Sequence, residues 1–193
     1  MITPADLPTP TRRLDPDAML EIAASVGLEP ARDEDLPAAR ELASKLMGQE
    51  VVGVETLKAV QRIQPAATLV FREDGVITGV WGQLCLRPSA ILPFFEGRFD
   101  AMDLDTDYLC RPGELIGLGY AWGVAASTKR AGAAALQNGA LIRPRLFPDL
   151  AVVTRAVTPI GRHIAINRYR YTPLRHPDDE LMIRVFVPEA VAA

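Results

Sequence analysis

Six consecutive residues, Lys129-Arg130-Ala131-Gly132-Ala133-Ala134, join two cations to four side chains no larger than a methyl group. They follow Ala125-Ala126-Ser127-Thr128 and open an alanine-rich stretch that reads as a helix to Arg143. A helix start leaves backbone N–H groups unpaired and carries the positive end of the dipole, which suits a phosphate. Small side chains let a bulky diphosphate reach those N–H groups, and Lys129 and Arg130 add charge. Just upstream, Leu115 to Val124 reads as a strand with glycine at 117, 119 and 123. Glycine weakens a strand interior unless a bulge or a second backbone needs the room, so something is expected to lie against this strand. Two other phosphate signatures fail. There is no Gly-Lys-Ser/Thr sequence, and Gly117-x-Gly119 is followed by Trp122 where a dinucleotide fingerprint requires glycine.

The elements that must position this stretch follow from periodicity and punctuation. Residues 1–13, with Pro4, Pro8 and Pro10, read as a flexible arm. Apolar residues from Leu14 to Val26 recur at helical spacing, with Asp15 as N-cap, Pro16 at the first helical position and Gly27 beyond the end. Asp33 to Met47, closed by Gly48, and Gly53-Val54 to Ile63, ending before Pro65, predict two more helices. The period then changes. Ala67 to Phe71 and Val76 to Leu86 flank the Asp74-Gly75 turn signal as a hairpin. A long connection over 87–113, with a helical turn at Ala90 to Phe95, is of the length that is often functional. Beyond the strand at 115–124 and the helix at 129–143, a strand at Leu150 to Thr154, a helix from Thr158-Pro159 to about Tyr169 and a strand at Leu181 to Val187 complete the order. The layout is α/β (α+β) with a mixed sheet: one domain over 14–193, helical over 14–65 and sheet-bearing over 66–193.

With that order in place, Lys129-x-x-Gly132-x-Ala134 resembles the Gln/Arg-x-x-Gly-x-Gly/Ala signature of the GNAT superfamily, the acyl-CoA-dependent N-acyltransferases. Lys129 departs conservatively at the first position, and Arg130 stands where many members have glycine. The resemblance spans residues 67–187, about two-thirds of the chain. It implies a mixed, mainly antiparallel sheet flanked by helices, a bulged strand and an N-terminal helical extension. It also implies that a pantetheine arm lies in a gap beside the bulged strand, bordered by Trp122, Val124 and Ala125. The diphosphate would be held by Lys129, Arg130, Ala131, Gly132, Ala133 and Ala134. The implied cosubstrate is acetyl-CoA or another acyl-CoA, the acceptor a small-molecule or peptide amine, and the assembly a homodimer. For the base, the family's strand glutamate falls near Leu118, and Glu114 is the nearest carboxylate. For the acid, the family's helical tyrosine falls on Ile166, and Tyr169 is the nearest tyrosine, with His163 on the same helix. Two other versions of the fold stay open: a non-catalytic acyl-CoA-binding or protein-interaction module, and a synthase of acyl-homoserine lactones.

Composition narrows the remaining classes. The 193 residues are 49% hydrophobic and 23% charged with net charge −3, close to globular averages. Residues 1–128 hold 11 Lys+Arg against 19 Asp+Glu, whereas 129–176 hold nine against Asp149 alone. The positive second half favours an anionic ligand, while the acidic whole and the lack of interleaved aromatics argue against nucleic acid. No apolar run approaches a membrane span and no signal segment is evident, so a cytoplasmic, membrane-free protein is expected. Cys85 and Cys110 cannot form a disulfide framework, and with His163 and His176 they give no metal-ligand spacing. Asp103-x-Asp105-x-Asp107 with Glu114 imitates a calcium loop, but Tyr108 occupies the position that requires glycine. No metal is expected. The same acids, beside Phe94, Phe95 and Phe99, could instead attract a cationic amine.

Overall fold

The computed structural model of the chain describes residues 2–174 and 180–185. Among these, seven strands form one sheet in the order β1-β2-β3-β4-β5-β7-β6. They are β1 Leu28–Pro30, β2 Thr68–Glu73, β3 Val76–Leu86, β4 Leu118–Ala126, β5 Val152–Arg155, β6 Thr172–Pro173 and β7 Leu181–Arg184. Neighbours are antiparallel except β4 and β5, which run parallel. The helices are α1 Pro16–Ser25, α2 Leu36–Met47, α3 Val54–Ile63, α4 Ile91–Phe95, α5 Lys129–Leu146 and α6 Pro159–His163. The mixed, mainly antiparallel sheet flanked by helices is thus present, with the helical extension in front of it.

Strand alternation sends successive side chains to opposite faces and builds two cores. Leu69, Phe71, Trp81 and Cys85 join α1 and α5 on one face. Val70 and Leu84 join α2, α3 and α4 on the other. Local signals explain the ends of several elements. Asp74 and Gly75 take φ of 51° and 80°, the two left-handed positions of the tight turn that Asp-Gly favours. The Asp15 carboxylate accepts the Ala18 N–H at 3.0 Å, capping α1 ahead of Pro16. Gly48 closes α2 at φ 68°.

Elsewhere the elements differ from the sequence reading for identifiable reasons. α2 starts at Leu36 instead of Asp33, because Asp35 turns back to accept the Arg32 N–H at 2.9 Å and pairs with Arg72 at 2.6 Å. β4 starts at Leu118 instead of Leu115, because the preceding backbone pairs with the N-terminal segment: Ile116 N–H donates to the Arg12 carbonyl at 2.8 Å. That segment, read as a flexible arm, is tied down here. Thr11 and Arg12 both donate to the Asp149 carboxylate, and Ile2 and Leu7 pack against the core. The edge strand β1, Leu28–Pro30, lies between the first two predicted helices, where the sequence reading placed no element. α5 extends past Arg143 to Leu146, and α6 passes into a π-turn, Ile164–Arg168, just ahead of Tyr169. His176 and the end of the last predicted strand, 186–187, lie outside the described residues.

Candidate functional site

Two irregularities of β4 create an opening in the sheet. Toward β3, Gly82 faces Gly123 while Gln83 faces Ala121, so Trp122 is an extra residue, a β-bulge. Toward β5, pairing covers only Gly119 to Ala121 against Val152 to Thr154. Beyond Ala121 no strand among the described residues lies along that side, although β4 continues to Ala126. The two parallel strands part. Ser127 N–H donates to the Thr78 carbonyl of β3, and backbone groups alternate along a strand. Val124 and Ala126 therefore direct their N–H and C=O away from β3, into the gap. Val124 is 46% exposed, whereas Ala125 is buried and half-buried Trp122 packs toward the α2 and α3 side. α5 and α6 begin beyond the C-terminal ends of β4 and β5, so the gap opens where ligands commonly meet parallel strands.

The glycines that suggested a close backbone are used mostly within the fold. A Cβ at Gly117 would lie 2.4 Å from the Pro88 backbone, so the approaching chain there is the protein's own.

Only part of the predicted diphosphate cradle has N–H groups free. Thr128 caps α5, its hydroxyl accepting the Ala131 N–H at 3.1 Å, and Gly132 N–H is taken by the Thr128 carbonyl at 3.0 Å. Ala133 and Ala134 lie inside the helix, and Ala131 and Ala134 turn their methyls into the core. The Lys129 and Arg130 N–H groups are the ones left for an anion, with both side chains exposed beside them. Sequence reasoning missed Glu73. From the end of β2 its carboxylate accepts from the Thr78 hydroxyl at 3.1 Å and lies 3.5 Å from Arg130. The Thr128 hydroxyl foremost holds Glu73 below the usual carboxylate range. A negative charge therefore already partly satisfies the start of α5. No short-range pattern links residue 73 to residue 128; the hairpin and β4 bring them together.

The two proposed catalytic residues are placed differently. Glu114 lies four residues before β4, and another four residues of strand, about 13 Å, separate Leu118 from Trp122. Its carboxylate is gripped at both oxygens by Arg87, at 2.8 and 3.0 Å, and accepts the Arg111 N–H. Those bonds, Arg87 foremost, hold its pKa down. The fold does not bring Glu114 to the gap, and its partners give it the role of an ion pair securing the 87–113 connection. Tyr169 follows the π-turn, half-buried, and its hydroxyl donates to the Leu136 carbonyl of α5 at 2.9 Å. Burial pushes its pKa up, so the phenol keeps its proton at neutral pH. Its cluster includes Ala121, the last β4 residue paired with β5. His163 contacts the Asn167 side chain across one turn.

Comparison with solved structures follows the same lines. The chain is similar to Ard1 from Thermoplasma volcanium at a TM-score of 0.52 and 10% identity, covering 83% of this chain and 97% of that one. It is similar to Naa20 of Chaetomium thermophilum in complex with a bisubstrate analogue, at 0.51 and 17%, covering 82% and 86%. A NatB acetyltransferase complex bound to CoA and MES gives 0.51 and 14%, covering 83% and 99%. No family model and no curated protein matches the sequence. These similarities establish the fold: the chain has the architecture of the GNAT acetyltransferases.

Proposed function

We propose that this protein is an acyl-CoA-dependent N-acyltransferase that moves an acyl group, acetyl first among the candidates, directly to an amine. The parting of β4 and β5 beside the Trp122 bulge carries this reading. The gap offers backbone groups of Val124 and Ala126 to the amide-bearing pantetheine arm. Lys129 and Arg130 face the diphosphate with their N–H groups and side chains. An arm entering from residue 129 brings its thioester to the closed end of the gap, where a backbone N–H can polarise the carbonyl. The amine nitrogen then bonds to the carbonyl carbon as the C–S bond breaks. One amine proton leaves to solvent, and the thiolate takes a proton, for which Tyr169 is the proposed donor after its hydroxyl turns from the Leu136 carbonyl. Glu114 has no part in this scheme.

A second reading, a module that binds acyl-CoA without turnover, is favoured by the placement of Glu114 away from the gap. Thermal stabilisation by acetyl-CoA, followed by thiol release with a panel of amines, separates the two. Stabilisation with amine-dependent thiol release supports the enzyme, and stabilisation with no release from any amine supports the module. No stabilisation by any acyl-CoA contradicts both.

A further inference from the structure

Arg143 is a charged side chain in the wrong surroundings for a purely structural role. It lies on α5, is only 9% exposed, and one terminal nitrogen, Nη1, has no hydrogen-bond partner. Its other terminal nitrogen, Nη2, donates to the Tyr171 hydroxyl oxygen. The guanidinium stacks 4.4 Å from the centre of the Tyr169 ring and 5.0 Å from that of Tyr171. Among the described residues no carboxylate pairs with it. Arg184 adds a second positive charge nearby, donating to the Tyr169 carbonyl at 2.7 Å, and burial together with the charge of Arg143 lowers its pKa. Removing a guanidinium from water is strongly unfavourable unless an opposite charge and a full set of acceptors replace the solvent.

The donors left over at this point have a definite chemistry. Tyr171, 3% exposed, accepts from Arg143 and so keeps its own hydroxyl proton to give. A free Nη1–H and a phenol O–H make a pair of donors suited to the two oxygens of a carboxylate. The location is equally specific. Tyr169 and Tyr171 share a cluster with Val152, Met182 and Ala121, at the closed end of the gap.

We propose that Arg143 and Tyr171 form a carboxylate-binding site, and that the acyl group brought to the gap ends in a free carboxylate, as in an ω-carboxyacyl thioester. This deepens the acyltransferase reading and rests on it. The carboxylate is a spectator, and the bonds made and broken at the thioester are those given above. Asp178, Asp179 and Glu189, outside the described residues, are the other possible source of the same chemistry.

The test is calorimetric titration of the full chain with succinyl-CoA and with butyryl-CoA, which match in chain length and differ in the terminal charge. The expected result is succinyl-CoA bound about tenfold more tightly, with the preference abolished in Arg143→Gln while butyryl-CoA affinity is unchanged. Tyr171→Phe keeps the ring and should lose part of the preference, which preserves the test where Arg143→Gln does not fold. Equal affinities in the wild type, or a preference that survives both substitutions, overturns the proposal. So does a preference seen only after Asp178→Asn, Asp179→Asn and Glu189→Gln are combined, which assigns the site to the chain's own acids. Failure of both thioesters to bind instead refutes the acyltransferase reading beneath it.

Discussion

Replacing Gly79 with alanine probes how the start of α5 is seated on the sheet. A Cβ there would lie 2.8 Å from the Ala131 methyl and 3.2 Å from the Phe71 Cβ, where carbon atoms settle at about 3.5–4.0 Å. Ala131 is fully buried in the first turn of α5, so relief requires that turn or β3 to shift by roughly 1 Å. Overpacking of this kind costs about 1–3 kcal/mol. At roughly 2–4 °C per kcal/mol for a chain of this size, the melting temperature should fall by about 2–12 °C. The Lys129 and Arg130 N–H groups sit on the same turn, so affinity for CoA should fall as well. Ala131→Gly removes the obstructing methyl. Alone it should cost about 1 kcal/mol through helix propensity, but in the double variant it should recover most of the loss. Thermal melts followed by circular dichroism, with CoA titrations on all four proteins, complete the cycle. A Gly79→Ala protein melting within about 1 °C of the wild type, or strictly additive effects in the double variant, would refute this account of how α5 is positioned.

Three further outcomes follow from the same geometry. Glu73→Gln removes the carboxylate already facing the start of α5, so CoA affinity should rise about two- to fivefold, as expected for one exposed charge, with slightly lower stability; weaker CoA binding by titration would contradict this. Tyr169→Phe should lower kcat by about 100-fold with little change in KM if the phenol protonates the leaving thiolate; steady-state kinetics showing an unchanged kcat would remove it from the mechanism. Asp149 and Glu114, held below the usual range chiefly by Arg12 and Arg87 respectively, contribute stability that is complete above their unfolded values of about 4. That stability is lost as pH falls through their lower folded values, so thermal melts should be insensitive to these pairs at neutral pH and decline only in acid. A decline tied to either pair that begins above pH 6 would be inconsistent with those ion pairs.

Signals that are local were legible in the sequence. Asp15-Pro16, Gly48 and Asp74-Gly75 act within a few residues, and each starts, ends or turns its element where expected. The strand-like runs on either side of Asp74-Gly75 and the small-residue run at 129–134 placed the hairpin and the helix start. Non-local pairings were hidden. The Arg12 to Ile116 pairing moved the start of β4, and the β1 contact made a strand of Leu28–Pro30, whose proline reads as a linker residue. The site divides the same way. The bulge at Trp122 could be anticipated from the glycine-rich strand, but its register could not. Glu114 stood close to the gap in sequence, yet the four residues before β4 and four more of strand took it to the other end of the strand. Glu73 and Arg143 carried no signal at all, because their importance comes from partners, or the lack of one, supplied by distant segments.

An acyl-CoA site in this sheet requires that the edge of β4 beyond Ala121 be open and receive the ligand. Residue-resolved amide hydrogen exchange, with and without CoA, addresses it directly. The Val124 and Ala126 amides should exchange quickly in the free protein, while Ala125, paired with β3, is protected. CoA should then slow Val124, Ala126, Lys129 and Arg130 together. Slow exchange at Val124 and Ala126 in the free protein, or no change at these four amides on adding CoA, would contradict the account.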